Sequence, residues 1–513
     1  MNFTSAHKLR AAEAYIDAGV DYVEGGWPNE TNPTDLEFFQ LSSALPRSDR
    51  VHLTAFGMTR RRNTTPRNDE NLRALIAAET PTVTIFGKSW RFQVEEILRT
   101  TPEENEAMIR DSVQFLVSKD RQVIYDAEHF FDGFKDDPDY ALSTLKAAES
   151  GGASRLVLCD TRGGTQPSDI YEATQRVVGE VGLPVGIHAH NDRGMATANS
   201  LFAVSAGATQ VQGTMNGMGE RVGNADLIEV IANLHLMGLK THVPVSRLAS
   251  LSHFTYEISG LREDSFKPFV GKHAFAHKGG VHGDAVIKAK AAYEFFDPTT
   301  FGNSRAITVS SQSGRASLLL TLQKLGFRLS KDDSMVLKLL REVKSLEASG
   351  CNLEIAEASM QLLLLRALSK DREPFRVVAW QVKAQNGSGK SSARCSLTVD
   401  VKGKTVEAEA AGNGPVNALD EGLRIILGNA YRRDFLAKLT GYRVREIDSQ
   451  SATAARVAVY IDFAEGRWTW TTVASSTNII QASLEALVDG YAYGLRIRNG
   501  RNGVRRASQR MEL

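Results

Sequence analysis

The sequence predicts an α/β barrel followed by a separate α+β domain. Three observations carry this. Short β-rich runs alternate with helical stretches through the first half, at about 30 residues per unit, the pattern of a parallel sheet covered by helices. Polar and glycine residues cluster just after those runs, at Glu24, Gly25, Asp126, Glu128, Asp160, Thr161, His188, His190 and Asn216, on the carboxyl edge where such folds gather their chemistry. From residue 374 alternating strands lead into a helix, twice over.

In order, the chain opens on "SAHKLRAAEAYIDAGVD", an amphipathic helix with Ser5 as its candidate cap. The strand runs are "DYVEGGW", "VHLTAFG", "TVTIFGKS", "QVIYDAEHF", "RLVLCDT", "PVGIHAH" and "ATQVQGT". Helical stretches such as "DENLRALIAAE", "PEENEAMIRDSVQFLVSK" and "DRGMATANSLFAVSAG" separate them. A (β/α)8 barrel needs eight strands. The leading reading is therefore a TIM barrel over residues 1–245 whose first strand is absent, with a doubly wound open sheet as the alternative. Residues 246–373 turn polar and glycine-rich, then helical, as linker subdomains. Residues 374–498 read as an α+β domain with an internal repeat. Residues 499–513 read as a solvated basic tail, not a nucleic-acid contact.

Composition narrows the class. Among 513 residues, 61 basic side chains nearly balance 60 acidic ones, so charge gives no argument for nucleic acid or an anionic membrane. Cys159, Cys351 and Cys395 are widely spaced with no CxxC pair, which argues against a disulfide scaffold or cysteine zinc site and for a reducing compartment. No apolar run approaches the ~18–20 residues of a membrane span, and the start lacks a signal-peptide pattern. A cytoplasmic protein is expected.

The densest chemistry is in "GIHAHNDRGMATAN". His188 and His190, two apart on a strand, face the same way roughly 6–7 Å apart, a spacing that suits one metal ion. A histidine pair satisfied by backbone groups inside a sheet is the structural alternative. Asn191 and Asp192 add oxygen donors, and a mixed imidazole and oxygen set suits Mg, Mn, Zn or Fe(II). Glu128 is a strand-end carboxylate, either a general acid or base or a rim charge paired with an arginine. His129 reads as packing beside Phe130 and Phe131. "CDTRGGT" fits a turn with polar caps. "GMGERVGNAD" is either a glycine loop that approaches a ligand or an ordinary turn, with Glu220–Arg221 bracing the rim. His282 and Asp284 fit a solvated turn, or a catalytic segment folded over the barrel mouth and contributed in cis or by a neighbouring subunit.

Together "DYVEGGWP", "VTIFGKSW", "DAEHFFDGF", "LVLCDTRGG", "GIHAHNDRGMATANSL", "VQGTMNGMGERVGNADL", "FAHKGGVHGDAV", "YEFFDP" and "GNGPVNALDEGLR" resemble one family over almost the whole chain. They are similar to the citramalate and 2-isopropylmalate synthases, the acyl-CoA condensing branch of the DRE-TIM metallolyases. "EGGWP" and "DAEHFFDG" resemble the citramalate subgroup in particular. The resemblance implies a condensation of acetyl-CoA with a 2-oxo acid, pyruvate in that subgroup, followed by thioester hydrolysis. It implies a divalent metal, Mg2+ or Mn2+ with Zn2+ as a further option, held by His188, His190 and Asn224. It implies that Thr161 binds the substrate carboxylate, that Glu128 stands beside the reacting centre, and that His282, Asp284 and Tyr293 form an acid–base group. The C-terminal domain resembles a dimeric regulatory domain for a branched-chain amino acid, so a homodimer with such an effector is implied.

The chain departs from the family in two places. No "TLRDG"-type strand, source of an aspartate ligand and an arginine, stands before "FTSAHKLR", and "IRDSVQ" is helical and out of order. Arg162 stands where an asparagine is usual. Other readings are a 2-isopropylmalate or homocitrate synthase using another 2-oxo acid, or a catalytically impaired paralogue with a regulatory role.

Overall fold

The computed structural model describes residues 3–29, 31–45, 51–277, 285, 289–307, 314–368, 373–387, 390–432, 435–447, 454–466 and 468–508. The chain forms two compact units, Met1–Phe275 with Phe296–Arg305, and Ala276–Phe295 with Ala306–Leu513.

In the first unit, helix α1 spans Ser5–Ala18. Its cap is Thr4, not Ser5 as the sequence suggested. Thr4 is extended, and its side chain accepts from the His7 N–H. Ser5 is already helical, and its hydroxyl donates to Glu37 at 2.6 Å.

Seven strands follow: β1 Tyr22–Gly26, β2 His52–Met58, β3 Thr82–Lys88, β4 Gln122–Glu128, β5 Arg155–Asp160, β6 Val185–Ala189 and β7 Gln210–Gln212. They form one parallel sheet in strict sequence order, β1 to β7. A doubly wound sheet reverses its strand order at a switch point, and this order has no reversal. The domain is a TIM-type parallel half-barrel.

Alternation along each strand decides what reaches the interior. Val123, Tyr125 and Ala127 of β4, and Val185, Ile187 and Ala189 of β6, pack in the layer shared with the helices. Ile124, Val157 and Cys159 form a separate small cluster against Tyr22, inside the curve of the sheet. Asp126 and Glu128 share the face of Ile124, and His188 lies opposite to Ile187. Each fully buried aliphatic side chain of the outer layer contributes roughly 1.5–3 kcal/mol. A one-residue slip of β6 would move His188 into that layer and expose its apolar set, so burial fixes the register of the histidines.

Among the described residues β1 pairs only with β2, and β7 only with β6. Between these two margins lies a cavity of about 930 Å³, lined by Tyr22 and Glu24 of β1, Gln210 and Gln212 of β7, and Tyr15 of α1.

The helices Glu70–Ala77, Pro102–Val117 and Pro138–Gly151 each start on a side-chain cap. Asp137, before the helix Pro138–Gly151, accepts from the Tyr140 N–H at 3.1 Å and from Arg91 Nε at 2.5 Å. These contacts, the backbone one first, hold its carboxyl below the ordinary range. Asp137→Ala is expected to cost about 1 kcal/mol at neutral pH, mostly as a lost cap because the ion pair is partly exposed. With the native value below the unfolded one of about 3.9, this contribution is complete above that pH and fades as pH falls through the native value. Urea titrations of both proteins should therefore converge in acid; a constant difference would refute the charge-dependent part.

The second unit opens on a short parallel pair, β8 Ala276–His277 with β9 Ala306–Ile307. Three helices follow, Arg315–Lys324, Ser334–Ala348 and Glu357–Leu368. Leu318, Leu339, Val343 and Leu364 among them share a core with Tyr460 and Val473. The rest is two like modules, each a three-stranded antiparallel sheet and a helix. The first is β10 Phe375–Gly387, β11 Lys390–Val401, β12 Lys404–Gly412 and the helix Pro415–Tyr431. The second is β13 Lys438–Glu446, β14 Val457–Glu465, β15 Trp468–Ser476 and the helix Ile479–Ser508. Their inner faces meet in one core, Leu397, Leu423 and Leu427 with Ile461, Phe463 and Tyr491. Strand β13 was not read from sequence, and the last helix runs on through residues expected to be a tail. No helix among the described residues is long and apolar enough to cross a membrane.

Candidate active site

The polar residues gather at the carboxyl ends of β3 to β7. Lys88 ends β3 and forms an ion pair with Glu128, its register partner at the end of β4. His129 follows in a left-handed conformation, φ 60°, so that its N–H donates to the Thr161 hydroxyl at 2.8 Å. Its ring lies against Trp90 at 6.0 Å and between Glu128 and Asp132, a polar setting in place of the expected phenylalanine packing. Arg162 stacks over the same Trp90 at 5.4 Å.

Asp160 organises the turn that carries Thr161. It accepts from the Gly164 N–H at 3.2 Å, the Thr165 hydroxyl at 2.9 Å and Asn199 Nδ2 at 3.3 Å. Arg221 bridges from the loop after β7. Its guanidinium forks onto Asp192 at 2.8 and 2.7 Å and reaches the Thr161 carbonyl at 2.9 Å. Asp192 is thus committed to an arginine, and Asn191 Oδ1 to the Ala196 N–H at 3.1 Å. Neither supplies the oxygen donor that "HND" suggested.

Asn224 is the amide that the fold sets against His188. The loop after β7 lies against the end of β6: His190 and Asn224 form a bridge, and the Ala225 N–H donates to the Ala189 carbonyl at 2.9 Å. Glycine permits this approach, because a Cβ at Gly219 would stand 2.3 Å from Asn224 Oδ1. The imidazoles of His188 and His190 lie 5.1 Å apart, centroid to centroid. His188 Nδ1 is 2.9 Å from Gln212 Oε1, and its Nε2 is 3.2 Å from Asn224 Nδ2. Burial, helped by His190, pushes the His188 imidazolium down to about 4. Burial and the Arg221 charge lower His190 as well. Both rings are neutral at neutral pH, the form that ligates metals.

Two buried atoms here, His190 Nδ1 and Asn224 Oδ1, have no hydrogen-bond partner among the described residues. Unsatisfied buried acceptors next to neutral imidazoles fit a divalent cation. No group of three or more His, Cys, Asp or Glu side chains that could hold a metal ion occurs among the described residues.

Of the residues expected from sequence, the first unit brings together Glu128, Thr161, His188, His190 and Asn224. Tyr293, 47% exposed, belongs to the second unit. His282 and Asp284 lie outside the described residues. Sequence reading missed Lys88 and Gln212, and placed Asp126 at the carboxyl edge without a role, although strand register could have found their links. Lys88 is level with Glu128, and Gln212 with His188.

The chain matches the HMGL-like family over residues 1–255, the homocitrate synthase post-HMGL domain-like family over 269–350, and the LeuA allosteric (dimerisation) domain over 354–495. HMGL-like enzymes are typically dependent on divalent metals. An (R)-citramalate synthase of Geobacter sulfurreducens is 41% identical over 500 residues, covering 96% of this chain and 94% of that one. That of Aquifex aeolicus is 43% identical over 501 residues, with the same coverage. A probable 2-isopropylmalate synthase of Archaeoglobus fulgidus is 27% identical over 496 residues, covering 96% and 93%. Similarity of that level over nearly the full length of both chains settles the assignment: the chain belongs to the HMGL-like/LeuA family, among the citramalate synthases.

Proposed function

We propose that this chain condenses acetyl-CoA with pyruvate to give (R)-citramalate and CoA. The observation that carries the reading is the meeting of His188, His190 and Asn224 at the end of β6, in a chain 41–43% identical to (R)-citramalate synthases. His188, His190 and Asn224 would hold a divalent cation, Mg2+ or Mn2+, which would supply Lewis-acid polarisation of the pyruvate carbonyl. The methyl carbon of acetyl-CoA loses a proton and bonds to C2 of pyruvate. The resulting alkoxide takes up a proton, and water then cleaves the thioester, releasing CoA.

The chain's own residues supply position and proton control. Thr161 Oγ1 accepts from the His129 N–H, which leaves its own O–H to donate to the pyruvate carboxylate. Lys88 holds the Glu128 carboxylate at the rim beside the reacting centre. His282, Asp284 and Tyr293 form the acid–base group that enolises acetyl-CoA. The C-terminal modules, within the LeuA dimerisation match, form a homodimer and bind a branched-chain amino acid that adjusts the rate.

Arg162, where the family usually carries an asparagine, leaves a second reading, a regulatory paralogue with little turnover. One assay separates them. CoA release is measured for the purified chain with Mn2+, acetyl-CoA and each of pyruvate, 2-oxoisovalerate and 2-oxoglutarate. Fastest release with pyruvate is expected. Preference for another oxo acid overturns the substrate; no release from a folded protein that binds isoleucine supports the regulatory reading.

A further inference from the structure

We propose that Gln212 is a positioning residue which, anchored by Asp126, fixes His188 as its Nδ1–H tautomer. The two ends of the Gln212 carboxamide have opposite hydrogen-bond roles, one acceptor and one pair of donors. Its Nε2 lies 2.9 Å from Asp126 Oδ1, and its Oε1 lies 2.9 Å from His188 Nδ1. Burial and the neighbouring Glu24 push the Asp126 carboxyl well above its ordinary range, but in either protonation state its Oδ1 accepts from the amide end of Gln212, which turns the Gln212 carbonyl end to the imidazole. His188 Nδ1 must then carry the proton. Its Nε2 is left with a lone pair pointing to Asn224.

The fold holds this chain of contacts in place. Gln212 is the register partner of His188 across the β6–β7 pair, and Asp126 is on the interior face of β4. Asp126 is 4% exposed and Gln212 borders the cavity between the sheet margins, so the relay runs through the interior. An outer partner that fixes the ring of a metal-ligating histidine typically changes metal affinity by 10–100-fold when removed.

The inference rests on the metal reading above only for its consequence; the tautomer itself is a property of the metal-free protein. The test uses chain labelled with ¹⁵N in its histidine rings, with the His188 signal identified by its loss in His188→Gln. Long-range ¹H–¹⁵N correlation at neutral pH reports which ring nitrogen is protonated. Gln212→Met keeps size but not hydrogen bonding; Gln212→Glu keeps an acceptor facing the ring. Expected are an Nδ1–H ring in wild type and in Gln212→Glu, and a mixed or reversed tautomer in Gln212→Met. Mn2+ binding followed by electron paramagnetic resonance should weaken about 10–100-fold in Gln212→Met and recover at least partly in Gln212→Glu. An Nε2–H ring in wild type, or an unchanged ring in Gln212→Met, overturns the proposal. Absence of Mn2+ binding in wild type, with the ring as expected, refutes the metal reading and upholds the tautomer.

Discussion

Replacing His190 by alanine is expected to reduce CoA release from acetyl-CoA and pyruvate by about three orders of magnitude, a loss of about 4 kcal/mol in transition-state stabilisation. The same change should leave thermal stability nearly untouched. His190 Nδ1 is buried with no hydrogen-bond partner among the described residues, so its removal relieves an unsatisfied group and breaks no hydrogen bond seen there. His188→Ala should also stop turnover, but it severs contacts to Gln212 and Asn224 and should lower the melting temperature too. Steady-state kinetics and calorimetry on both variants check the contrast. Full activity in His190→Ala would remove this residue from the reaction.

Phe463→Ala should be the most damaging single truncation in the second unit, costing about 3–5 kcal/mol. The ring is fully buried, stacks on Trp470 at 5.8 Å with planes 9° apart, and meets Tyr491 edge-on at 5.2 Å. Gly490 packs so close that a Cβ there would approach the ring to 1.9 Å. A vacancy at this point is bordered by both modules, so neither can collapse alone to fill it. Urea denaturation followed by tryptophan fluorescence should show an earlier transition, and sizing chromatography a loss of self-association. A destabilisation below about 1 kcal/mol would mean that the core repacks.

The histidine pair was legible because its signal is local: an i, i+2 spacing on a strand needs no knowledge of the partner elements. Asn224 was reached only through resemblance, since a glycine loop gives no hint of which strand it will lie against. Lys88 and Gln212 are single polar residues inside β-rich runs, and their roles come from cross-strand register. Arg221 illustrates the same limit, because its fork closes on Asp192, 29 positions away, more tightly than on the adjacent Glu220. Seven strands followed from alternation and turn residues, whereas their order, which separates a barrel from a doubly wound sheet, is visible only in the pairing. Strand β13 escaped because "KLTGYRVRE" exposes every other residue and pairs on one side only.

The two margins of the parallel sheet have a consequence for quality control in a living cell. Among the described residues, β1 and β7 each pair on one side and border the cavity on the other. Local opening begins where hydrogen bonds are fewest, so these margins should fray at a small fraction of the free energy that unravels β4 or β5. Frayed extended backbone is what chaperones and proteases grip. Limited proteolysis and hydrogen exchange of this chain are therefore expected to begin at β1 and β7, ahead of β4 and β5.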